Sequence, residues 1–272
     1  MSKFYLRFWI SLLVANGFDS IFSVEKPIVV LVASYNNQLF AKKNITSILE
    51  QDYENFRVIY IDDASDDKTL NEVTRALKDH PKKSLFEIYH NHLKLGAMQN
   101  HYMAISKCKK NEIMVILDGD DWFFSSQSLK IINACYENED TWLTWGSYIE
   151  YPSGEIGNLS KPVSKSLLLE GKLRQQTWTT SHCRTFYAGL FQKVKKEEFM
   201  MDGKFFSSGC DLAEMFPMLE MARERAKFIP DLLYVYNKSN PISDSIIHAK
   251  DRDEIVKIIR RRPALNRLNH FN

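Results

Sequence analysis

The chain has 272 residues, 44% of them hydrophobic and 26% charged. This is the composition of an ordinary globular protein, not a disordered or fibrous one, with room for one large α/β domain or two small ones. Its 36 basic and 34 acidic side chains leave a net charge of +2, too little to argue for nucleic acid as a partner. Cys108, Cys135, Cys183 and Cys210 are widely spaced and form no C-x-x-C pair, which indicates neither a zinc site nor a redox motif and leaves free buried thiols as the expectation.

Residues 1–24 stand apart as an apolar segment. Lys3 and Arg7 precede the apolar residues 8–15, and the small residues Ala15 and Gly17 follow, an order similar to that of a secretory signal. The alternative is an aromatic-rich helix lying on the domain or on a membrane surface. Asn16 and Asp19 interrupt the stretch well before the ~20 apolar residues a membrane span needs. The expected location is cytoplasmic or membrane-associated, with a secretory signal left open. The N-x-S/T triplets at Asn44, Asn158 and Asn237 add little, and Asn44 falls in a predicted helix.

Pro27 marks the start of the folded domain, expected over residues 25–245. Residues 28–33, IVVLVA, read as a buried strand because they are short, unbroken and β-branched, and residues 34–38, SYNNQ, as the loop at its C-terminal end. Ile45, Ile48, Leu49 and Tyr53 recur at helical spacing before a second strand, residues 56–61, that ends in Asp62 and Asp63. Leu70, Val73 and Leu77 mark another helix, residues 86–89 a short strand, and residues 97–108 a helix feeding the strand that ends in Asp118. Strands alternating with helices predict a mainly parallel sheet with helices on both faces. Parallel order brings the acids at 62–63 and 118–121 to the same edge of that sheet.

The second half is less regular. Residues 141–151 are rich in Trp and Tyr and read as a strand, and residues 152–165 as a turn-forming loop. Residues 211–221 place Leu212, Met215, Phe216 and Leu219 on one helical face, with Pro217 expected to bend the helix and Asp211 available as its N-cap. Residues 246–272 are expected to form a basic amphipathic helix ending in Arg260, Arg261 and Arg262. Such an end is usually solvated, though it can also approach anionic lipid, making peripheral membrane contact one expectation.

Residues 113–122, IMVILDGDDW, carry the strongest signal. A buried strand does not tolerate unpaired negative charge, so Asp118, Asp120 and Asp121 must lie where it leaves the core. Oxygen donors without His or Cys favour a hard divalent ion such as Mg or Mn, shared with substrate phosphates. An EF-hand loop does not fit the spacing. A phosphatase with Asp118 as nucleophile and a merely solvated acidic turn are the remaining alternatives.

Several fragments together resemble family 2 glycosyltransferases of the GT-A fold, from about Pro27 to about Ser245: IVVLVASYNN, IYIDDASDDKTL, NHLKLGAMQNHYMAI and ILDGDDW, in family order. The resemblance implies an α/β, Rossmann-like three-layer fold and a metal-dependent, inverting hexosyl- or N-acetylhexosaminyltransferase. Its donor is expected to be a nucleotide-diphosphate sugar, most often a UDP-sugar. The acceptor is expected to be a hydroxyl of a glycan, a lipid-linked molecule or a protein.

By the same resemblance, Ser34, Tyr35, Asn36, Asp62 and Asp63 hold base and ribose, with Asp63 the better candidate for a uracil contact. Gly96 and Asn100 belong to the Asn-x-Gly region of the donor site. Asp118 and Asp120 face the diphosphate, and Asp120 and Asp121 are the expected ligands of Mn or Mg. SSGCDLAEMF aligns Asp211 with the catalytic base and Cys210 with a position where an acid is common; Glu214, one turn on, is the backup. His182, Arg184 and Phe186 resemble a His-x-Arg-x-Phe segment near the acceptor side, where a structural role for His182 is the simpler expectation. Asn240 stands near the place of a histidine that some members contribute to metal or diphosphate. A non-catalytic module binding nucleotide sugar or glycan is the remaining alternative to an enzyme.

Overall fold

In the computed structural model, residues 24–243 and 249–271 are described. The apolar N-terminal segment up to residue 23 and the start of the predicted C-terminal helix lie outside them. The first strand, β1 (Ile28–Ser34), lies inside the parallel half of the sheet. It pairs in parallel with β2 (Phe56–Asp62) and β4 (Ile113–Asp118), while β2 pairs in parallel with β3 (Phe86–His90). Helices α1 (Ala41–Leu49), α2 (Thr69–Leu77) and α3 (Ala97–Ile105) make the crossovers.

Because side chains alternate across a strand, β1 feeds two cores. Ile28, Val30 and Val32 pack with Ile45 and Ile48 of α1, Val73 of α2, and Leu129 and Ile132 of α4 (Ser128–Tyr136). Val29 and Leu31 join the other core with Met98 and Ile105 of α3 and the apolar residues of α7 (Cys210–Ala222). Each such side chain fully buried contributes roughly 1.5–3 kcal/mol. The expected helices therefore lie on both faces of the sheet.

The second half of the sheet is mixed. The full order is β3-β2-β1-β4-β7-β6-β10-β5, with β5 (Trp122–Phe123), β6 (Leu143–Tyr151), β7 (Arg184–Tyr187) and β10 (Ala226–Asn237). Strand β7 runs antiparallel to both β4 and β6, and β5 antiparallel to β10, while β6 and β10 are parallel. Pairing of β10 with β6 shifts register after Ile229, next to Pro230, which has no amide hydrogen to give the ladder. Short helices α5 (Lys165–Glu170) and α6 (Ala188–Phe191) and the hairpin β8 (Met200–Met201) and β9 (Lys204–Phe205) fill the connections.

Helix α7 runs through Pro217 without ending there. The last helix, α8 (Ala249–Arg261), buries Ile255 and Ile259 in the same core as α7. Its basic end is occupied: Arg260 donates to the carbonyls of Arg174 and Gln176, and Arg262 to those of Glu197 and Met200. Trp142, Trp145 and Trp178 are core side chains packed on Phe271, Phe228 and Phe216. All four cysteines are free, and no helix among the described residues is long and apolar enough to cross a membrane.

Candidate active site

Parallel register sets Asp62 beside Ser34, and Asp118 beside Ala33, so the acids at the ends of β2 and β4 flank the end of β1. The chain opens there into a cleft of about 230 Å³. Of the residues expected at a donor site, Ser34, Tyr35, Asp63, Gly96, Asn100, Asp118 and Asp120 line it, and so does Asp211.

Asn36, Asp62 and Asp121 lie behind that lining, and each is used to shape it. Asn36 has a positive φ of 52° and joins two loops, donating from its backbone to Ser65 and accepting from the Asp66 amide. The Asp62 carboxylate is fully buried, accepts from the Ser65 amide and meets His90 Nδ1 at 2.7 Å. Asp121 is also fully buried and accepts from the Tyr234 hydroxyl at 2.6 Å and the Asn237 amide at 2.7 Å.

Asp63 is occupied as well as placed. It accepts from the amides of Leu95 and Gly96 and from the Asn91 side chain, which also reaches Asn100. Gly96 has φ of +84° at the N-cap of α3, a backbone region that L residues other than glycine rarely take. Gly119 is required for a different reason: a Cβ there would fall 2.5 Å from Ser34 Cβ. The turn after β4 is held from below by Asn44, whose amide donates to the carbonyls of Asp118 and Asp121. Asn44 is therefore a buried structural residue, not a glycan acceptor.

Electrostatics concentrate at the end of β4. Removal from solvent pushes the Asp118 carboxyl up, but Arg184, His182 and His101 outweigh it and hold it below the ordinary carboxylate range. Asp121 moves far upward, through burial and the neighbouring charges of Asp120 and Asp118. Like charges crowded in this way disfavour ionisation of one another. One carboxylate oxygen each of Asp118 and Asp121 and a ring nitrogen of His182 lie within 4.8 Å of one another, a donor set that fits a divalent ion. Asp120 faces the same cleft, but one of its oxygens accepts from the Asn240 amide at 2.7 Å.

Elements α7 and β7 supply further lining. Gly209, in the left-handed region at φ 68°, is the N-cap of α7, which makes Asp211 the second helical residue, its carboxylate bonded to the Leu212 backbone. Burial raises its carboxyl above the ordinary range, and Arg184 works against that rise. Arg184 is itself buried; it stands 3.6 Å from Asp118, and its Nε has no partner among the described residues. Glu214 does not reach the cleft: it is fully buried and held to His101 Nδ1 at 2.6 Å. Lys94, His101 and Arg252 also line the cleft, and no local pattern marks them in the sequence.

A mostly parallel sheet whose strand ends bring acids to a cleft that a carboxylate at a helix start also lines is the architecture of the GT-A class of glycosyltransferase fold. Residues 29–199 match the family described as Glycosyl transferase family 2, and the chain belongs to that family. It is 27% identical over 222 residues to the glycosyltransferase GlyG of Streptococcus pneumoniae, covering 78% of this chain and 70% of that protein. It is 23% identical over 208 residues to the GalNAc(5)-diNAcBac-PP-undecaprenol beta-1,3-glucosyltransferase of Campylobacter jejuni, covering 76% of this chain and 63% of the relative.

Among solved structures, residues 1–349 of S. aureus TarS in complex with UDP-GlcNAc superpose with a TM-score of 0.64 at 16% identity, over 86% of this chain and 65% of that one. The mannosyltransferase of Pyrobaculum calidifontis in complex with GDP-Man and Mn²⁺ gives 0.58 at 18% identity, over 89% and 66%. The chain thus spans about two thirds of the length of the two relatives and of the mannosyltransferase, and 37% of a longer TarS chain.

Proposed function

We propose that this glycosyltransferase moves a hexosyl or N-acetylhexosaminyl group from a nucleotide-diphosphate sugar to an acceptor hydroxyl, with inversion at the anomeric carbon. The observation that carries this is that Asp211 lines one cleft together with Asp63, Asp118 and Asp120, the acids at and just beyond the ends of β2 and β4. The donor lies with its base and ribose toward Ser34, Tyr35 and Asp63, where Lys94 sits 3.6 Å over the Tyr35 ring. Its diphosphate lies toward Asp118 and Asp120. A UDP-sugar is the favoured donor, supported by the UDP-GlcNAc bound to TarS; the GDP-Man bound to the Pyrobaculum enzyme makes a GDP-sugar the second arm of the test. The acceptor is a glycan, lipid-linked or protein hydroxyl, and the name of the Campylobacter relative supports the lipid-linked class.

Asp211 acts as base. The acceptor oxygen forms its bond to the anomeric carbon as its proton passes to the Asp211 carboxylate and the bond to the diphosphate oxygen breaks. Arg184, between Asp211 and Asp118, favours the ionised form of both. Asp118, Asp120 and Asp121 would hold a divalent ion, Mn or Mg, which when bound acts as a Lewis acid on the leaving diphosphate.

The test measures donor binding and nucleotide diphosphate release with UDP- and GDP-sugars in the presence of Mn, Mg or EDTA. EDTA and Asp120→Ala are expected to weaken donor binding, whereas Asp211→Asn keeps binding and abolishes transfer. Metal-independent turnover removes the ion from the scheme, and full transfer by Asp211→Asn removes the base. Donor binding without any turnover by the wild type would mark a non-catalytic module instead.

A further inference from the structure

Helices α3 and α7 meet in a buried pair that the scheme above leaves unused. His101 Nδ1 lies 2.6 Å from Glu214 Oε1, with side chains 2% and 0% exposed. An ionised carboxylate only accepts, so the ring nitrogen donates. The other oxygen of Glu214 has no partner among the described residues. Glu214 stays behind the wall, whereas His101 lines the cleft, and its Nε2 makes no hydrogen bond among the described residues.

With the diphosphate toward Asp118 and Asp120 and the base at Asp211, the transferred sugar must lie between them. His101 acts electrostatically on Asp118, and Glu214 stands one helical turn after Asp211. Asp118, Glu214 and Asp211 all act on the same guanidinium, that of Arg184. The pair therefore borders the space the sugar would fill. Buried polar groups are normally paired, yet here a carboxylate fixes one ring nitrogen and leaves the other to the cleft. A hydroxyl both donates and accepts, so it satisfies Nε2 whether that atom carries a hydrogen or a lone pair.

We propose that His101 reads a hydroxyl of the transferred sugar through Nε2, with Glu214 as the positioning residue that fixes its ring, and that this contact selects among donors. The inference rests on the donor placement given above. A site built to bond a hydroxyl rejects the analogue that lacks it, because its own buried polar atom is then left unpaired.

The test uses the full chain and whichever of UDP-glucose, UDP-galactose, UDP-N-acetylglucosamine and GDP-mannose releases its nucleoside diphosphate. That donor and each of its single-deoxy analogues are compared by kcat/KM in wild type, in Glu214→Gln and in the double variant His101→Leu with Glu214→Leu. The double change makes both partners apolar, so neither is left buried and unpaired. Calorimetry with the nucleoside diphosphate alone checks the rest of the site. The wild type is expected to lose roughly 5- to 150-fold on one deoxy analogue. The double variant is expected to treat the parent donor no better than that analogue, with nucleoside diphosphate affinity unchanged. Glu214→Gln, whose amide oxygen still accepts from Nδ1, is expected to keep the preference. A wild type indifferent to every deoxy analogue, or a double variant that still discriminates, overturns the reading role. Loss of nucleoside diphosphate binding in the double variant makes the pair a support of the fold and overturns that role as well. Release from none of the four donors by wild type overturns the donor scheme and the inference with it.

Discussion

Asp211 and Arg184 form the pair on which the chemistry of the cleft turns. Burial lifts the Asp211 carboxyl above the ordinary carboxylate range, and Arg184 limits the rise. A base must be ionised to accept the acceptor proton, so turnover falls as pH drops through the raised value. Arg184→Gln removes the restraint and is expected to move the acid limb of the kcat profile to higher pH while lowering the plateau. An acid limb that stays in place would separate Arg184 from the base. The acids were legible in the sequence because charge at the end of a buried strand, or at a helix start, needs a reason. Asn44, Asn91 and Asn237 were not, since each acts on a partner distant in sequence: Asn44 on Asp118 and Asp121, Asn91 on Asp63, Asn237 on Asp121. Asn44 even carries a glycosylation triplet, a local pattern that its burial overrides.

At the scale of elements, the two halves of the sheet differ in how openly the sequence declares them. The β1 to β4 half is read from apolar runs tipped by acids, because parallel strands buried on both faces leave that mark. Strand β7 escaped: it has only four residues, and polar Arg184 and Thr185 sit beside Phe186 and Tyr187. It takes its place from pairing with β4 and β6 instead of from its own pattern. Helix α4 also went unanticipated. The turn that joins β4 to the cleft is tightly constrained. Gly119→Ala puts a methyl group against Ser34 and is expected to destabilise the fold by roughly 1–3 kcal/mol. Donor affinity should fall with it. The checks are a urea titration and donor calorimetry; wild-type values in both would show that the strand ends can part freely.

For the molecule as a whole, the C-terminal helix is part of the body and not an appendage to it. Arg174 makes a two-point ion pair with Glu220 of α7 and donates to the Ile259 carbonyl of α8, and Ile255 and Ile259 complete the core that supports α7. Ile259→Ala is therefore expected to lower the free energy of unfolding by about 2–5 kcal/mol, read from the urea midpoint. A loss below about 0.5 kcal/mol, within the range of surface changes, would mean that α8 docks without stabilising. The same packing puts Arg252 of α8 into the lining of the cleft, so the helix that closes the core also completes the site.

The reversed direction of β7 bears on which lengths of chain the site tolerates. Strands β1, β2 and β4 arrive at the cleft with their last residues, but β7 departs from it, so its first residue, Arg184, is the one on display. Neighbouring positions serve the opposite face: Cys183 lies in the α1 and α4 core, and Thr185 bonds to Tyr136 and Thr144. Losing or gaining a single residue ahead of β7 would exchange these faces, sending a guanidinium into an apolar layer and a thiol or hydroxyl into the cleft. Natural variation in the 152–181 excursion should therefore leave the spacing of the last few residues before Arg184 untouched, however much the rest of that excursion changes in length.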